Sequence, residues 1–79
     1  MKIDEAVKNR ILELCTAKNI TINKLGTICG ITQSTLKNIT SGRNGATVLT
    51  IKKICDGLDI TIADFFNTSI FKKLEQEIE

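Results

Sequence analysis

Four polar side chains within six residues could form a hydrogen-bonding surface: Gln33, Ser34, Lys37 and Asn38. Residues three and four positions apart lie on the same side of an α-helix, so a helix over this segment would present the four together. The opposite side of that helix would carry Leu36 and Ile39. Amide, hydroxyl and ammonium groups held on a rigid helix are suited to reading base edges in the major groove of DNA. The pattern therefore indicates a DNA-reading helix, and an ordinary solvated helix surface is the alternative interpretation.

Two short helices joined at a glycine would hold these side chains in place. The segment 20–43 contains two amphipathic stretches separated by Gly30. Glycine readily adopts the left-handed backbone conformation that ends many helices. Thr21 and Thr32 precede the two stretches, and a threonine hydroxyl can cap the first turn of a helix. The sequence therefore predicts a helix-turn-helix.

The segment resembles the helix-turn-helix of the Cro-like phage repressors, in the broad XRE family of bacterial regulators. Members carry a small residue midway along the first helix, here Gly26, and a turn glycine four residues later, here Gly30. Aliphatic residues follow the turn and lie inside the second helix, here Ile31 and Leu36. The similarity continues through 41–44, 50–61 and 63–66. It implies an all-α, compact five-helix domain of the lambda-repressor type, to which a short C-terminal helix can be added.

The resemblance also implies roles for individual residues. Base contacts are expected from Gln33, Ser34, Lys37 and Asn38, and phosphate contacts from Thr21, Thr32, Thr35 and Arg43. Gln33 is the strongest candidate, because its amide can pair with adenine through one donor and one acceptor. Arg43 corresponds to an arginine that contacts phosphate or the minor groove. Ile22 stands where several phage repressors have a polar residue, so that contact is not expected here.

The distribution of charge agrees with such a surface. Residues 14–55 contain six basic side chains and no acidic one, whereas residues 56–79 contain six acids and two lysines. Carboxylates beside DNA phosphates are unfavourable, so we expect the central part of the chain to face DNA and the C-terminal part to lie away from it. Chance clustering in a chain of 79 residues is the alternative explanation.

Apolar spacing predicts five helices and no strand. Three helices have apolar stripes: Ile3, Val7, Ile11 and Leu14 in the first, Leu25, Ile28 and Cys29 in the second, and Val48, Ile51, Ile54, Cys55 and Leu58 in the fourth. Thr47 or Thr50 would begin the fourth helix, and Asp59 and Thr61 would lie in the turn before the fifth. We assign residues 1–67 to the DNA-binding domain, with the helix-turn-helix at about 21–41.

The remaining residues, 68–79, form an amphipathic tail. Ile70, Phe71, Leu74 and Ile78 recur at helical spacing, which predicts a short C-terminal helix with one apolar side. This side could fold back across the first or fifth helix of the same chain. We favour instead a homodimer contact made by the fifth helix and the tail, because small DNA-binding domains gain specificity by pairing.

Composition argues against several other classes of protein. The chain has no histidine and three well-separated cysteines, Cys15, Cys29 and Cys55, so we predict free structural thiols and no metal site or cofactor. No catalytic group or small-molecule ligand is evident, and no apolar run could span a membrane, which predicts a cytoplasmic non-enzyme. We therefore expect a dimeric repressor that reads a palindromic operator in double-stranded DNA. The alternative is an antitoxin or phage-associated adaptor that binds a protein through its acidic, Phe-containing end.

Overall fold

Five α-helices form the fold, and a short 3₁₀ helix follows them. The computed structural model describes residues 1–78. The helices are α1 (Ile3–Lys18), α2 (Ile22–Cys29), α3 (Gln33–Thr40), α4 (Val48–Leu58) and α5 (Ile62–Phe66), and the 3₁₀ helix is Ser69–Lys72. No β-strand occurs in the described part of the chain. The predicted all-α, five-helix fold is therefore confirmed.

Threonine caps begin four of the five α-helices. The capping residues of α2 to α5 are Thr21, Thr32, Thr47 and Thr61. Each hydroxyl oxygen accepts a hydrogen bond from the backbone N–H three residues later, at 3.0 to 3.2 Å. Such a bond satisfies one of the donors left free at a helix start. The predicted caps of α2 and α3 are confirmed, and α4 begins after Thr47, not Thr50.

The turn between α2 and α3 depends on Gly30. This residue ends α2 with φ 68° and ψ 36°, the left-handed conformation that glycine adopts without a steric penalty. The next backbone N–H, of Ile31, donates to the carbonyl of Gly26 at 2.9 Å. The chain then enters α3 directly through its Thr32 cap. This short connection fixes α3 against α2, as the glycine pattern predicted.

The core lies between α1, α2, α4 and the buried side of α3. Its fully buried large side chains are Ile11, Leu25, Leu36, Ile54, Cys55 and Phe65. Three predicted core positions are wrong: Val48 is 76% exposed, Ile28 is 41% exposed and Ile3 is 36% exposed. Ile3 is the first residue of α1, ahead of the buried stripe that begins at Ala6 and Val7. The first turn of α4 extends beyond the core, so its apolar stripe begins at Ile51. Ile28 lies at the edge of the contact between α2 and α4, with its Cγ2 beside Gly57.

Helices α2 and α4 meet closely at Gly57. A Cβ atom placed on this glycine would overlap the Sγ of Cys29 and would lie 3.2 Å from the Cα of Cys29, a tighter contact than most Cβ atoms make. The Cα belongs to the backbone of α2, so only the Sγ could move aside by a side-chain rotation. The absence of a side chain at this position therefore sets how closely the two helices approach.

We expect Gly57→Ala to destabilise the protein. Alanine in a helix is favoured over glycine by about 1 kcal/mol, but overpacking a tight contact costs about 1–3 kcal/mol. Thermal unfolding followed by circular dichroism measures the net effect. The decrease in melting temperature should be smaller when the same change is made in a Cys29→Ala background, because the Sγ atom is then absent. A higher melting temperature for Gly57→Ala would mean that helix propensity outweighs the contact.

The tail runs along the start of α1. The Glu75 N–H donates to the Met1 carbonyl at 3.0 Å, and the Ile3 N–H donates to Oε2 of Glu77 at 2.8 Å. Lys2, the residue before α1, makes no side-chain cap, so the carboxylate of Glu77 takes that role. Phe71 packs against the ring of Phe66, with the centroids 4.8 Å apart.

This arrangement corrects one prediction about the tail. The extra helix is a single 3₁₀ element, Ser69–Lys72, and residues 73–78 are not helical, although their apolar spacing predicted a helix. In place of helical bonds, the Glu75 N–H donates to the carbonyl of Met1, just before α1, and the carboxylate of Glu77 accepts from the N–H of Ile3, the first residue of α1. The tail therefore folds back across α1 of the same chain, and Glu79 lies outside the described residues.

Candidate nucleic-acid interface

Helix α3 presents its polar side to solvent. Leu36 and Ile39 are buried, as predicted, and anchor α3 to the core. Gln33, Ser34 and Lys37 are exposed on the other side, and Asn38 is half-buried. The four side chains that the sequence predicted as base contacts thus lie on the accessible surface of α3, together with the exposed Thr35.

The turn after α3 directs Arg43 back toward this helix. Gly42 has φ 79°, a left-handed conformation that reverses the chain. The carbonyl of Asn38 accepts hydrogen bonds from the N–H groups of Arg43 at 3.0 Å and Asn44 at 3.1 Å. The hydroxyl of Ser41 donates to the same carbonyl at 3.2 Å. The carbonyls of Lys37 and Ile39 accept from the N–H groups of Ser41 and Gly42, so three carbonyls of α3 together fix the turn.

Helix α3 and this turn enclose a shallow depression of about 340 Å³. Its lining residues are Ser34, Lys37, Asn38, Ser41 and Arg43. Lys37 and Arg43 supply two positive charges, and neither forms an ion pair within residues 1–78. Free cations beside amide and hydroxyl groups form a surface suited to a phosphate backbone and the bases next to it. We name this set of five residues the basic depression.

The structure brings together most, though not all, of the predicted contact residues. The basic depression contains three predicted base contacts and the predicted phosphate contact Arg43. Ser41 belongs to it as well and was not predicted. Gln33 lies outside the depression, on the side of α3 that faces α2, where its Nε2 donates to the carbonyl of Asn23 at 3.3 Å.

The three threonines predicted as phosphate contacts differ in the hydrogen bonds that their hydroxyl groups already make within the chain. Thr21 accepts from the Lys24 N–H, and its own O–H is free to donate. Thr32 accepts from the Thr35 N–H, and its hydroxyl shares a 2.9 Å hydrogen bond with the Thr35 hydroxyl that either group can donate. Thr21 therefore has a donor to offer a phosphate oxygen, and Thr32 and Thr35 have one free O–H between them.

The two lysines of α4, Lys52 and Lys53, are less suited to DNA contact than Lys37 and Arg43. The Lys52 ammonium forms an ion pair with Asp56, and this hydrogen bond raises the pKa of Lys52 above its ordinary value. Its charge is thus partly compensated within the chain. Lys53 is exposed on the same helix, away from the basic depression.

The three cysteines are free thiols within the helical core. Cys15 and Cys55 are buried, and Cys29 is half-buried with its Sγ 3.8 Å from the carbonyl of Ile54. Burial raises the pKa of all three thiols, which favours the neutral form. Within residues 1–78 no group of histidine, cysteine and acidic side chains is arranged to hold a metal ion.

The arrangement of α1 to α5 agrees with a known family. A family model described as helix-turn-helix matches residues 11–65, which include α2, α3 and the basic depression. The chain belongs to the XRE helix-turn-helix family. The crystal structure of the prophage Lp1 protein 11 is similar, with a TM-score of 0.82 and 37% sequence identity. The similarity covers 94% of this chain and 100% of that chain. No curated protein matches the chain.

Family membership establishes the general activity. This helix-turn-helix family consists of DNA-binding, non-enzymatic domains, so the XRE-family chain is a DNA-binding regulator whose partner is double-stranded DNA. Across residues 1–78, none of the helices combines the length and apolar character needed to cross a membrane.

Proposed function

We propose that this protein is a repressor that binds a palindromic operator as a dimer and reads it through α3. The observation that carries this proposal is the basic depression. Two uncompensated cations, Lys37 and Arg43, lie there next to the polar side of a rigidly anchored helix. Phosphate contacts position a protein on DNA and base contacts provide specificity, and this surface offers groups for both.

In the proposed complex, α3 enters the major groove. Gln33, Ser34, Lys37 and Asn38 contact bases, and Arg43 contacts a phosphate at the edge of the groove. Thr21 and one hydroxyl of the Thr32–Thr35 pair donate to phosphate oxygens, and Thr32 also caps α3.

Selection of bound sequences from a random DNA pool, followed by sequencing, tests the proposal. A two-fold symmetric motif should be enriched, with half-sites about 10 base pairs apart, the spacing at which two recognition helices reach one face of DNA. Transcription from a promoter that contains the selected motif should fall when the protein is added. Enrichment of no motif would contradict specific DNA binding, and increased transcription would contradict repression.

We further propose that the dimer forms through α5 and the tail. Ile62, Leu74 and Ile78 remain exposed there, with Ile78 at 86%. Val48 and Leu49, at the start of α4, form a second exposed apolar pair, at 76% and 64%. Exposed apolar groups of this kind are buried at the core of protein interfaces.

Two matched variants distinguish these surfaces. We expect Ile78→Ser to weaken self-association, measured by sedimentation equilibrium with and without the selected DNA. Leu49→Ser should leave self-association unchanged. The opposite result would place the dimer contact at the start of α4, and no association of the unmodified protein, even on DNA, would exclude a dimer.

The antitoxin or adaptor alternative receives less support. It requires phenylalanines at the acidic end that are available to a partner. Phe65 is fully buried, and Phe66 and Phe71 are half-buried against one another. The carboxylates of Glu75 and Glu77 are engaged with the first residues of the chain.

A further inference from the structure

Asn44 and Gly45 form an asparagine–glycine pair in the loop between α3 and α4. Both residues are exposed. Glycine has no Cβ, so its backbone nitrogen is open to the side chain of the preceding residue. Within residues 1–78, the N–H of Gly45 makes no hydrogen bond, and the side-chain amide of Asn44 makes none either. An amide group and a backbone nitrogen are therefore free to react with each other.

The other five asparagines of the chain lack this combination: Asn9, Asn19, Asn23, Asn38 and Asn67. None of them precedes a glycine. Asn9 and Asn38 lie inside α1 and α3, where the next N–H belongs to the hydrogen bonds of the helix. The N–H groups that follow Asn19, Asn23 and Asn67 donate to acceptors at 2.9, 3.1 and 3.0 Å. Across the described residues, only Asn44 is followed by a nitrogen that is both unshielded and unbonded.

The contact with α1 favours glycine at position 45. A Cβ atom placed on Gly45 would overlap the carboxylate of Asp4 and would lie 2.7 Å from its Cγ. A larger residue in this place would have to displace Asp4. On the other side of the pair, the N–H of Asn44 is held by the carbonyl of Asn38 at 3.1 Å. The packing of the loop thus retains glycine directly after an exposed asparagine.

We propose that Asn44 is a site of spontaneous deamidation, a modification that adds a negative charge to the DNA interface. Asparagine is among the thermally labile side chains. The backbone nitrogen of Gly45 gives up its proton to water or hydroxide and bonds to Cγ of Asn44. The Cγ–Nδ2 bond breaks, and the NH₂ group takes a proton from water and leaves as ammonia.

The cyclic succinimide that results then adds one water molecule and opens. Aspartate forms when the new bond between Cγ and the Gly45 nitrogen breaks. Isoaspartate forms when the original peptide bond breaks instead, so that the main chain runs through Cγ. In total, one water is consumed and one ammonia is released, with no change of oxidation state. The reaction therefore needs no oxidant and no further reactant.

The new carboxylate would lie beside the proposed phosphate contact, Arg43. Asn44 follows Arg43 directly, and the N–H groups of both residues bond to the carbonyl of Asn38. A carboxylate here repels phosphates and partly compensates the charge of Arg43. Isoaspartate also lengthens the main chain and so displaces the turn. Deamidation thus weakens DNA binding as the protein ages, an effect that rests on the proposed function, whereas the reaction itself does not.

Peptide mass spectrometry of the full-length protein tests the reaction. After incubation in neutral buffer, trypsin releases residues 44–52 and 54–72, each of which contains one asparagine. Replacement of NH₂ by OH raises the mass of a peptide by about 1 Da. We expect this increase in 44–52 and not in 54–72, relative to a fresh sample digested in parallel. Equal modification of the two peptides, or none in 44–52, would overturn the inference.

The variant Asn44→Gln is the matched control for ageing. It keeps the amide, but its longer side chain must close a larger ring, which is slower. Over the same incubation it should show no mass increase, and its DNA affinity should stay constant while that of the unmodified protein falls. An equal fall in both proteins would mean that a change elsewhere in the chain causes the loss.

The variant Asn44→Asp supplies the charge of the product directly. Its affinity for the selected operator should fall roughly 3- to 10-fold at low salt, and less at high salt. Asn67→Asp adds the same charge at another exposed position, outside the basic depression, and should leave affinity unchanged. Equal effects of the two variants would indicate net charge alone and would contradict a role for this site.

Failure of the inference differs from failure of the proposed function. If Asn44→Asp binds the operator as tightly as the unmodified protein, the effect of deamidation on DNA binding is wrong. If the fresh, unmodified protein enriches no DNA sequence, specific DNA binding itself is contradicted. The mass of peptide 44–52 decides on the reaction in either case.

Discussion

Phe65→Ala is expected to lower the free energy of unfolding by about 3–5 kcal/mol. The ring of Phe65 is fully buried and lies 4.9 Å from that of Phe66 and 6.2 Å from that of Phe71, between centroids. Arg10 from α1 also approaches it, with Cζ 5.9 Å from the ring centre. Removal of the ring would leave a cavity where α1, α5 and the tail meet. For a domain of this size, the melting temperature should fall by about 15 °C or more.

Phe66→Ala is the matched control for this prediction. Phe66 is half-buried, so its truncation removes less buried surface, and its effect should be clearly smaller. Urea unfolding at 25 °C, followed by circular dichroism, compares the two variants directly. Equal effects would mean that the aromatic cluster as a whole stabilises the fold and that Phe65 is not its centre.

Loss of the two cations in the basic depression should reduce affinity for every DNA sequence. If Lys37 and Arg43 each neutralise a phosphate, each change to alanine should make the logarithmic salt dependence of binding shallower by about 0.9. In the double variant, the slope should become shallower by about twice that amount. Both side chains are exposed, so we expect melting temperatures to stay close to that of the unmodified protein. Fluorescence anisotropy over a series of salt concentrations measures the slope.

Lys52→Ala provides the comparison for these variants. It removes the same charge from the same acid-free part of the sequence, but Lys52 lies outside the basic depression and pairs with Asp56. Its salt slope should equal that of the unmodified protein. An unchanged slope for Lys37→Ala or Arg43→Ala would place that residue outside the interface. A slope that changes equally in all three variants would indicate an effect of net charge alone.

Local sequence signals predicted most of the fold. The threonines before α2 and α3 and the glycine in the turn act within a few residues, so these two helices and the turn at Gly30 could be predicted directly. The predictions were wrong where contacts between residues far apart in the chain determine the structure. The apolar spacing of the tail favoured a helix, but Glu77 bonds to the start of α1, 74 residues away in the chain. Val48 fits the apolar stripe of α4, yet α4 begins beyond the core.

The candidate site was predictable to a similar degree. Helical spacing placed Gln33, Ser34, Lys37 and Asn38 on the exposed side of α3. In the structure the first three are exposed and Asn38 is half-buried. Ser41 was missed because it follows the helix and enters the depression only through the turn. The bond from Gln33 to Asn23 was unpredictable, because its acceptor is a backbone carbonyl, which every residue has.

The bond between Glu77 and the first turn of α1 also has a consequence for local opening. The first turns of α2 to α5 are capped by adjacent threonines, so they stay capped when the tail detaches, whereas the Ile3 amide then loses its acceptor. Amide hydrogen exchange should reveal this as an opening confined to the start of α1. The Ile3 amide is expected to exchange through tail release, at a free energy well below that of global unfolding. The amides in the middle of α4, beside the buried Ile54, should exchange only when the whole domain unfolds.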